Sequence, residues 1–132
     1  MANDKSAARP LSPHLQIYRP MLTMMMSIMH RITGMALYFG IVLLVWWLTA
    51  ASFSDGYFDF VQGFFGHWFG RLVLFGFSWA LIHHTLGGLR HLLWDTGRGF
   101  DLNLIEWLAW ANLAGSIVLT LLLWVIGYGV MA

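Results

Sequence analysis

Three stretches of this chain contain no Asp, Glu, Lys or Arg: Ile32 to Ser54, Leu72 to Leu89 and Trp107 to Ala132, of 23, 18 and 26 residues. A helix needs roughly 20 apolar residues to cross the hydrocarbon of a bilayer. Within that hydrocarbon every backbone N–H and C=O must be satisfied by the segment itself, which favours helix over any open extended form. The pattern therefore predicts an all-α integral membrane protein with three transmembrane helices. It is read as one domain over 1–132, with spans at about 28–52, 68–92 and 106–130 and an N-terminal interfacial segment at about 1–22. All three prolines, Pro10, Pro13 and Pro20, precede the first span, so no span is expected to kink.

Composition excludes the main alternatives. Only 10% of the residues are charged and 59% are hydrophobic, with a mean hydropathy of +0.69. Soluble domains carry about a quarter charged residues, so this chain has too little charge to coat a water-facing surface. Seven Lys+Arg against six Asp+Glu leave a net charge of +1, which argues against nucleic-acid binding. With no Cys, the chain cannot form disulfides or ligate an iron–sulfur cluster by thiolate.

The placement of Lys and Arg sets the expected orientation. Lys5, Arg9 and Arg19 precede the first span, and Arg90 and Arg98 lie in or near the second loop. The first loop has Asp55 and Asp59 and no base before Arg71. The positive-inside rule then puts the N-terminus and second loop inside, and the first loop and C-terminus outside. Arg71, on the opposite side, is expected to snorkel to the interface. The first span reads as a retained helix rather than a cleaved leader, because a long polar segment precedes it and no small-residue cleavage site follows. Trp46, Trp47, Trp68, Trp94, Trp107 and Trp124 fall near span ends, as interfacial belts require.

Polar residues inside the spans carry the functional information, because they are costly in lipid and usually face a bundle interior or a cavity. Ser27 and Arg31 lie at i and i+4 and share a helix face. That face offers a hydroxyl and a guanidinium at the membrane boundary, which suits a polar head group whose tail stays in lipid. The competing reading is that Arg31 only anchors the helix at the phosphates.

The second cluster is His83, His84, Gly87, Gly88, Arg90, His91 and Asp95. His84 lies about 9 Å along the helix from Arg90, at ~1.5 Å per residue, and so at hydrocarbon depth. His91, seven residues on, shares its face. Gly76, Ala80, His84 and Gly88 recur every four residues, and such small-residue stripes usually mark close helix packing. An imidazole beside Gly at this depth can be an axial ligand for haem iron, with Arg90, His91, His30 and Arg31 near the propionates. The competing reading, which a single intramembrane histidine favours, is an imidazole hydrogen-bonded to a neighbouring helix. His83 points about 100° away from His84, so both cannot serve one iron. His30 is expected about two turns shallower than His84, which places it badly as a second axial ligand. Asn112 and Ser116, at i and i+4, are expected to mark a helix contact in the third span.

Three motifs in order give the chain a family resemblance. They are Arg9-Pro-Leu-Ser-Pro-His-Leu-Gln-Ile-Tyr18, Ser27-Ile-Met-His-Arg31-Ile-Thr-Gly34, and His84-x-x-x-Gly88-x-Arg90-His91-x-x-x-Asp95. The sequence resembles the cytochrome b membrane-anchor subunits of succinate dehydrogenase, of the proteobacterial and mitochondrial type. The resemblance implies that His84 is an axial ligand of haem b, the other ligand coming from a histidine of a second membrane-anchor subunit. It implies that His30, Arg31 and His91 lie near the propionates, and that Ser27 and Arg31 line the ubiquinone pocket. It assigns no role to His83. An iron–sulfur subunit and a flavoprotein subunit are the implied soluble partners, with the iron–sulfur subunit docking on the side of the N-terminal motif and Asp95. The implied location is a bacterial or mitochondrial inner membrane, with the N-terminus on the cytoplasmic or matrix side. The alternatives are the anchor of a quinol:fumarate reductase and a purely structural membrane anchor.

Overall fold

The computed structural model describes residues 14–131. The basic residues Lys5 and Arg9, with most of the expected interfacial segment, lie outside the described residues. A single turn, α1 (His14–Ile17), is followed by α2 (Leu22–Phe53), α3 (Asp55–Gly66), α4 (Trp68–Asp95) and α5 (Leu102–Met131). There is no strand among the described residues. The three long helices have 32, 28 and 30 residues, and each is long and apolar enough to cross a membrane. At 1.5 Å per residue they measure roughly 42 to 48 Å, so their ends project past a hydrocarbon core of about 30 Å. The spans read from charge-free stretches alone are correspondingly shorter than these helices.

Burial in this chain is inverted relative to a water-soluble bundle. Large apolar side chains point outward: Phe39 is 63% exposed and Val125 69%. Most buried positions are small or polar, among them Thr33, Ala50, Ala80, His83, Asn112, Ser116 and Thr120, with Met26, Val61 and Phe65 the larger apolar exceptions. Lipid chains are as apolar as Leu, so helices in a bilayer gain little by hiding Leu and associate through close packing and interhelical hydrogen bonds. The chain is a multi-pass membrane protein by this pattern as well as by helix length.

Helix α3 is the element the charge pattern did not reveal. The charge pattern predicts a loop between the first two spans, but Ser54 caps a helix there, its hydroxyl accepting from the Tyr57 N–H at 3.3 Å. Asp55 in the first turn faces the positive end of the helix dipole. Val61 and Phe65 bury against Ala50, with Leu43, Trp46, Trp47 and Leu74 packed around them. The indoles of Trp46 and Trp47 donate to the Tyr57 hydroxyl at 2.8 Å and to Gln62 Oε1 at 2.9 Å. Two of the expected belt tryptophans thus tie the end of α2 to α3.

The turn from α3 into α4 depends on Gly70. A Cβ there would fall onto the Phe64 carbonyl oxygen and within 2.7 Å of Phe65 Cα, both backbone atoms of the preceding helix. Gly70→Ala is therefore expected to destabilise the protein by about 1–3 kcal/mol, the usual range for overpacking. Thermal unfolding of the detergent-solubilised protein, followed by helical circular dichroism, checks this. Gly63→Ala, where a Cβ meets nothing within 4 Å, is the matched control and should leave the midpoint in place or raise it.

At the opposite end α4 stops at Thr96. Gly97 adopts φ +75°, and its N–H donates to the Trp94 carbonyl at 2.8 Å. A left-handed glycine after the last helical turn satisfies carbonyls that would otherwise be orphaned. The turn brings α5 back antiparallel to α4, which sits centrally and touches α2, α3 and α5. One end of the bundle therefore gathers the start of α2, the end of α4 and the start of α5. That end carries Arg31, Arg90, Asp95, Arg98, Asp101 and Glu106.

Candidate functional site

At the charged end α2 and α4 approach through a reciprocal exchange of glycine and histidine. A Cβ on Gly34 of α2 would lie 3.0 Å from Cε1 of His84 on α4. A Cβ on Gly87 of α4 would lie 2.5 Å from Nδ1 of His30 on α2. Each helix thus leaves room for the other's imidazole. The two rings stack face to face, with centroids 3.9 Å apart and planes 6° from parallel. His91, two turns beyond His84 on the same face, brings its ring to 5.0 Å from His30. Three of the sequence-derived site residues, His30, His84 and His91, are therefore in one cluster.

This contact corrects the expected depth of His30. Its ring touches that of His84, so the two are not two turns apart: His30 lies opposite Gly87, about one turn from His84 toward the charged end. Its unsuitability as a second axial ligand has a different cause. A planar macrocycle held by two imidazoles must pass between them, and these rings are already in van der Waals contact.

The tautomer of His84 follows from its partners. Nδ1 lies 3.1 Å from the His30 carbonyl oxygen and 3.3 Å from Thr33 Oγ1. A carbonyl oxygen only accepts, so Nδ1 carries a proton, and in the neutral ring the lone pair is on Nε2. Nε2 makes no hydrogen bond to a described residue. Gly88, one turn along, has nothing within 4 Å of where its Cβ would be. This is how a metal-binding histidine is usually held, one nitrogen donating to a backbone carbonyl and the other free. The residues present fit a haem at this position.

Ser27 and Arg31 lie one turn apart on the adjacent face of α2, and both are exposed. Neither side chain hydrogen-bonds to a described residue. Arg31 follows His30 directly and so points about 100° away from it. The pair presents a hydroxyl and five guanidinium N–H donors at the charged end of the bundle, next to the histidine cluster.

The other half of the second cluster faces α5. His83 is fully buried, its Nδ1 3.2 Å from Ser116 Oγ and its ring 5.0 Å from that of Trp79. The Ser116 hydroxyl donates to the Leu113 carbonyl at 2.9 Å and therefore accepts from His83. Arg90, seven residues after His83, is also buried, with its guanidinium 5.0 Å over the Trp94 ring. Arg90 thus sits on the α5 side and His91 on the α2 side, where the sequence reading had grouped them.

The packed seam of α4 is Ala80, His83, Gly87 and Arg90, not Gly76, Ala80, His84 and Gly88. Gly76 and Gly88 both face open space. The expected contact at Asn112 and Ser116 is present, extended by Ala109 and Thr120 on the same buried face of α5. Sequence reasoning missed His83, Thr33, Gly34 and Gly87. The signal for the first and last was the equally regular spacing 80, 83, 87, 90.

Antiparallel helices long and apolar enough to cross a membrane, with an imidazole that keeps one nitrogen free, make a helical membrane anchor able to hold a metal-bearing group. Comparison with known proteins fixes the family. Residues 5–123 match the family model described as succinate dehydrogenase/fumarate reductase transmembrane subunit, and the chain belongs to that family. It is 48% identical over 122 residues to a succinate dehydrogenase cytochrome b556 subunit from Paracoccus denitrificans, covering 92% of this chain and 94% of the relative. A protein of the same description from Rickettsia conorii is 39% identical over 117 residues, covering 89% and 91%. A succinate dehydrogenase cytochrome b560 subunit from Marchantia polymorpha is 40% identical over 101 residues, covering 72% and 73%.

Proposed function

We propose that this chain is the haem b-bearing cytochrome subunit that anchors a succinate:ubiquinone oxidoreductase in the membrane and helps form its quinone-reduction site. The observation that carries the reading is the state of His84, protonated at Nδ1 by its bond to the His30 carbonyl and without a hydrogen bond at Nε2 to a described residue. Cytochrome b is also what the matched relatives are called. His84 would bind the haem iron, His30, Arg31 and His91 would hold the propionates, and a histidine of a second membrane-anchor subunit would be the other iron ligand. Haem b, when bound, provides a one-electron redox centre between the two anchor subunits.

Ubiquinone reduction takes two electrons and two protons, so the pocket needs donors to the quinone carbonyls and contact with water. Ser27 and Arg31 are such donors, exposed at the charged end. The electrons come from succinate through a flavoprotein and an iron–sulfur subunit that dock on that end. This chain has no Cys to bind a cluster itself. The proposed setting is a bacterial or mitochondrial inner membrane, with the N-terminus on the cytoplasmic or matrix side.

The test is an optical difference spectrum. The complex is purified gently with its native partners, and succinate is added. The expected result is a reduced b-type haem band. An intact complex without haem would favour a purely structural anchor. Haem that dithionite reduces and succinate does not would point to a fumarate reductase.

A further inference from the structure

We propose that Thr33 is a positioning residue for His84, its hydroxyl serving as a second acceptor on the Nδ1–H and so setting how strongly Nε2 donates to haem iron. The inference rests on the reading of His84 as an axial ligand. Thr33 is 1% exposed, and its Oγ1 lies 2.9 Å from the Met29 carbonyl, 3.0 Å from the His30 carbonyl and 3.3 Å from His84 Nδ1. The His30 carbonyl has two lone pairs. One receives the Gly34 N–H in the α-helical pattern and the other receives His84 Nδ1–H. The single hydroxyl proton of Thr33 is therefore best placed on Met29, which turns an Oγ1 lone pair toward His84. The Nδ1–H is then shared between two acceptors.

Two consequences follow. The ring is held in one tautomer and one orientation, clamped at Nδ1 by the carbonyl and the hydroxyl, at Cε1 by the bare Gly34, and on its face by His30. Two acceptors on the Nδ1–H also draw its proton away from the ring and make Nε2 a stronger donor. A stronger donor favours ferric over ferrous iron, and outer-sphere partners of this kind act on metal affinity by roughly 10–100-fold.

Thr33→Val keeps the shape and removes the acceptor, whereas Thr33→Ser keeps the acceptor and removes the methyl. Both variants are made in the full complex. Haem content, the midpoint potential by redox titration and the ferric electron paramagnetic resonance spectrum are measured for each. The expected result for Thr33→Val is a raised midpoint, by up to roughly tenfold in the ferric-to-ferrous affinity ratio, which is about 59 mV for a one-electron couple. A shifted ferric signal should accompany it, and Thr33→Ser should match wild type in both. Haem lost from the Val variant and kept by the Ser variant supports the same conclusion.

Equal shifts or equal haem loss in the two variants would make Thr33 a packing residue and overturn the proposal. So would a wild-type potential and spectrum in Thr33→Val. In either case the axial role of His84 is left standing. A His84→Ala complex whose haem spectrum is unchanged would overturn that axial role, and the proposal with it.

Discussion

His84→Ala is expected to lower the haem content of the assembled complex and to leave any remaining haem able to bind carbon monoxide. Removing an outer partner of a metal ligand costs roughly 10–100-fold in affinity. Removing the ligand itself should cost at least that much and opens a coordination position. Haem per complex and the spectral change on adding carbon monoxide to the reduced protein measure both effects. The fold should survive, because Gly40 still admits the Phe77 ring where α2 and α4 cross, and the α4–α5 seam does not involve His84. The revealing comparison is His83→Ala. That substitution removes a fully buried ring and its bond to Ser116, so it should cost more stability, yet the haem should remain and refuse carbon monoxide. If the two variants exchanged these phenotypes, the ligand would be His83 and the proposed site would lie on the wrong side of α4.

Adjacent imidazoles with opposite surroundings mark the limit of what the sequence discloses. Length and the absence of charge were sufficient for the three spans, because the bilayer constrains length directly. The i and i+4 spacing of Ser27 and Arg31 was sufficient to put them on one face. The packed face of α4 was not legible, since 76, 80, 84, 88 and 80, 83, 87, 90 are both regular small or polar stripes. Only the position of α5, with Ser116 against His83, selects between them. Helix α3 was hidden for a related reason. Its acidic start at Asp55 and Asp59 reads as a loop by charge, while its helicity depends on the Ser54 cap and on Val61 and Phe65 finding Ala50. Thr33 and Gly34 were inside a recognised motif, but their use depends on a ring arriving from residue 84.

Arg31→Ala is expected to reduce kcat/KM for quinone by about 10- to 150-fold. A hydrogen bond from a charged donor contributes roughly 1.5–3 kcal/mol, and 1.4 kcal/mol corresponds to a factor of ten. Arg31 is exposed on α2 beside His30 and makes no hydrogen bond to a described residue, so its loss should cost little stability. Ser27→Ala removes only a neutral donor, about 0.5–1.5 kcal/mol, and should reduce the same ratio by roughly 2- to 12-fold. Arg31→Lys keeps the charge without the planar fork and should fall between wild type and Arg31→Ala. Quinone reduction by the purified complex is compared with succinate oxidation using a water-soluble acceptor reduced at the soluble subunits. The second activity should be unchanged in all three variants. Equal losses in both assays would mean that Arg31 holds the assembly together, and wild-type quinone kinetics would return it to a helix anchor at the lipid phosphates.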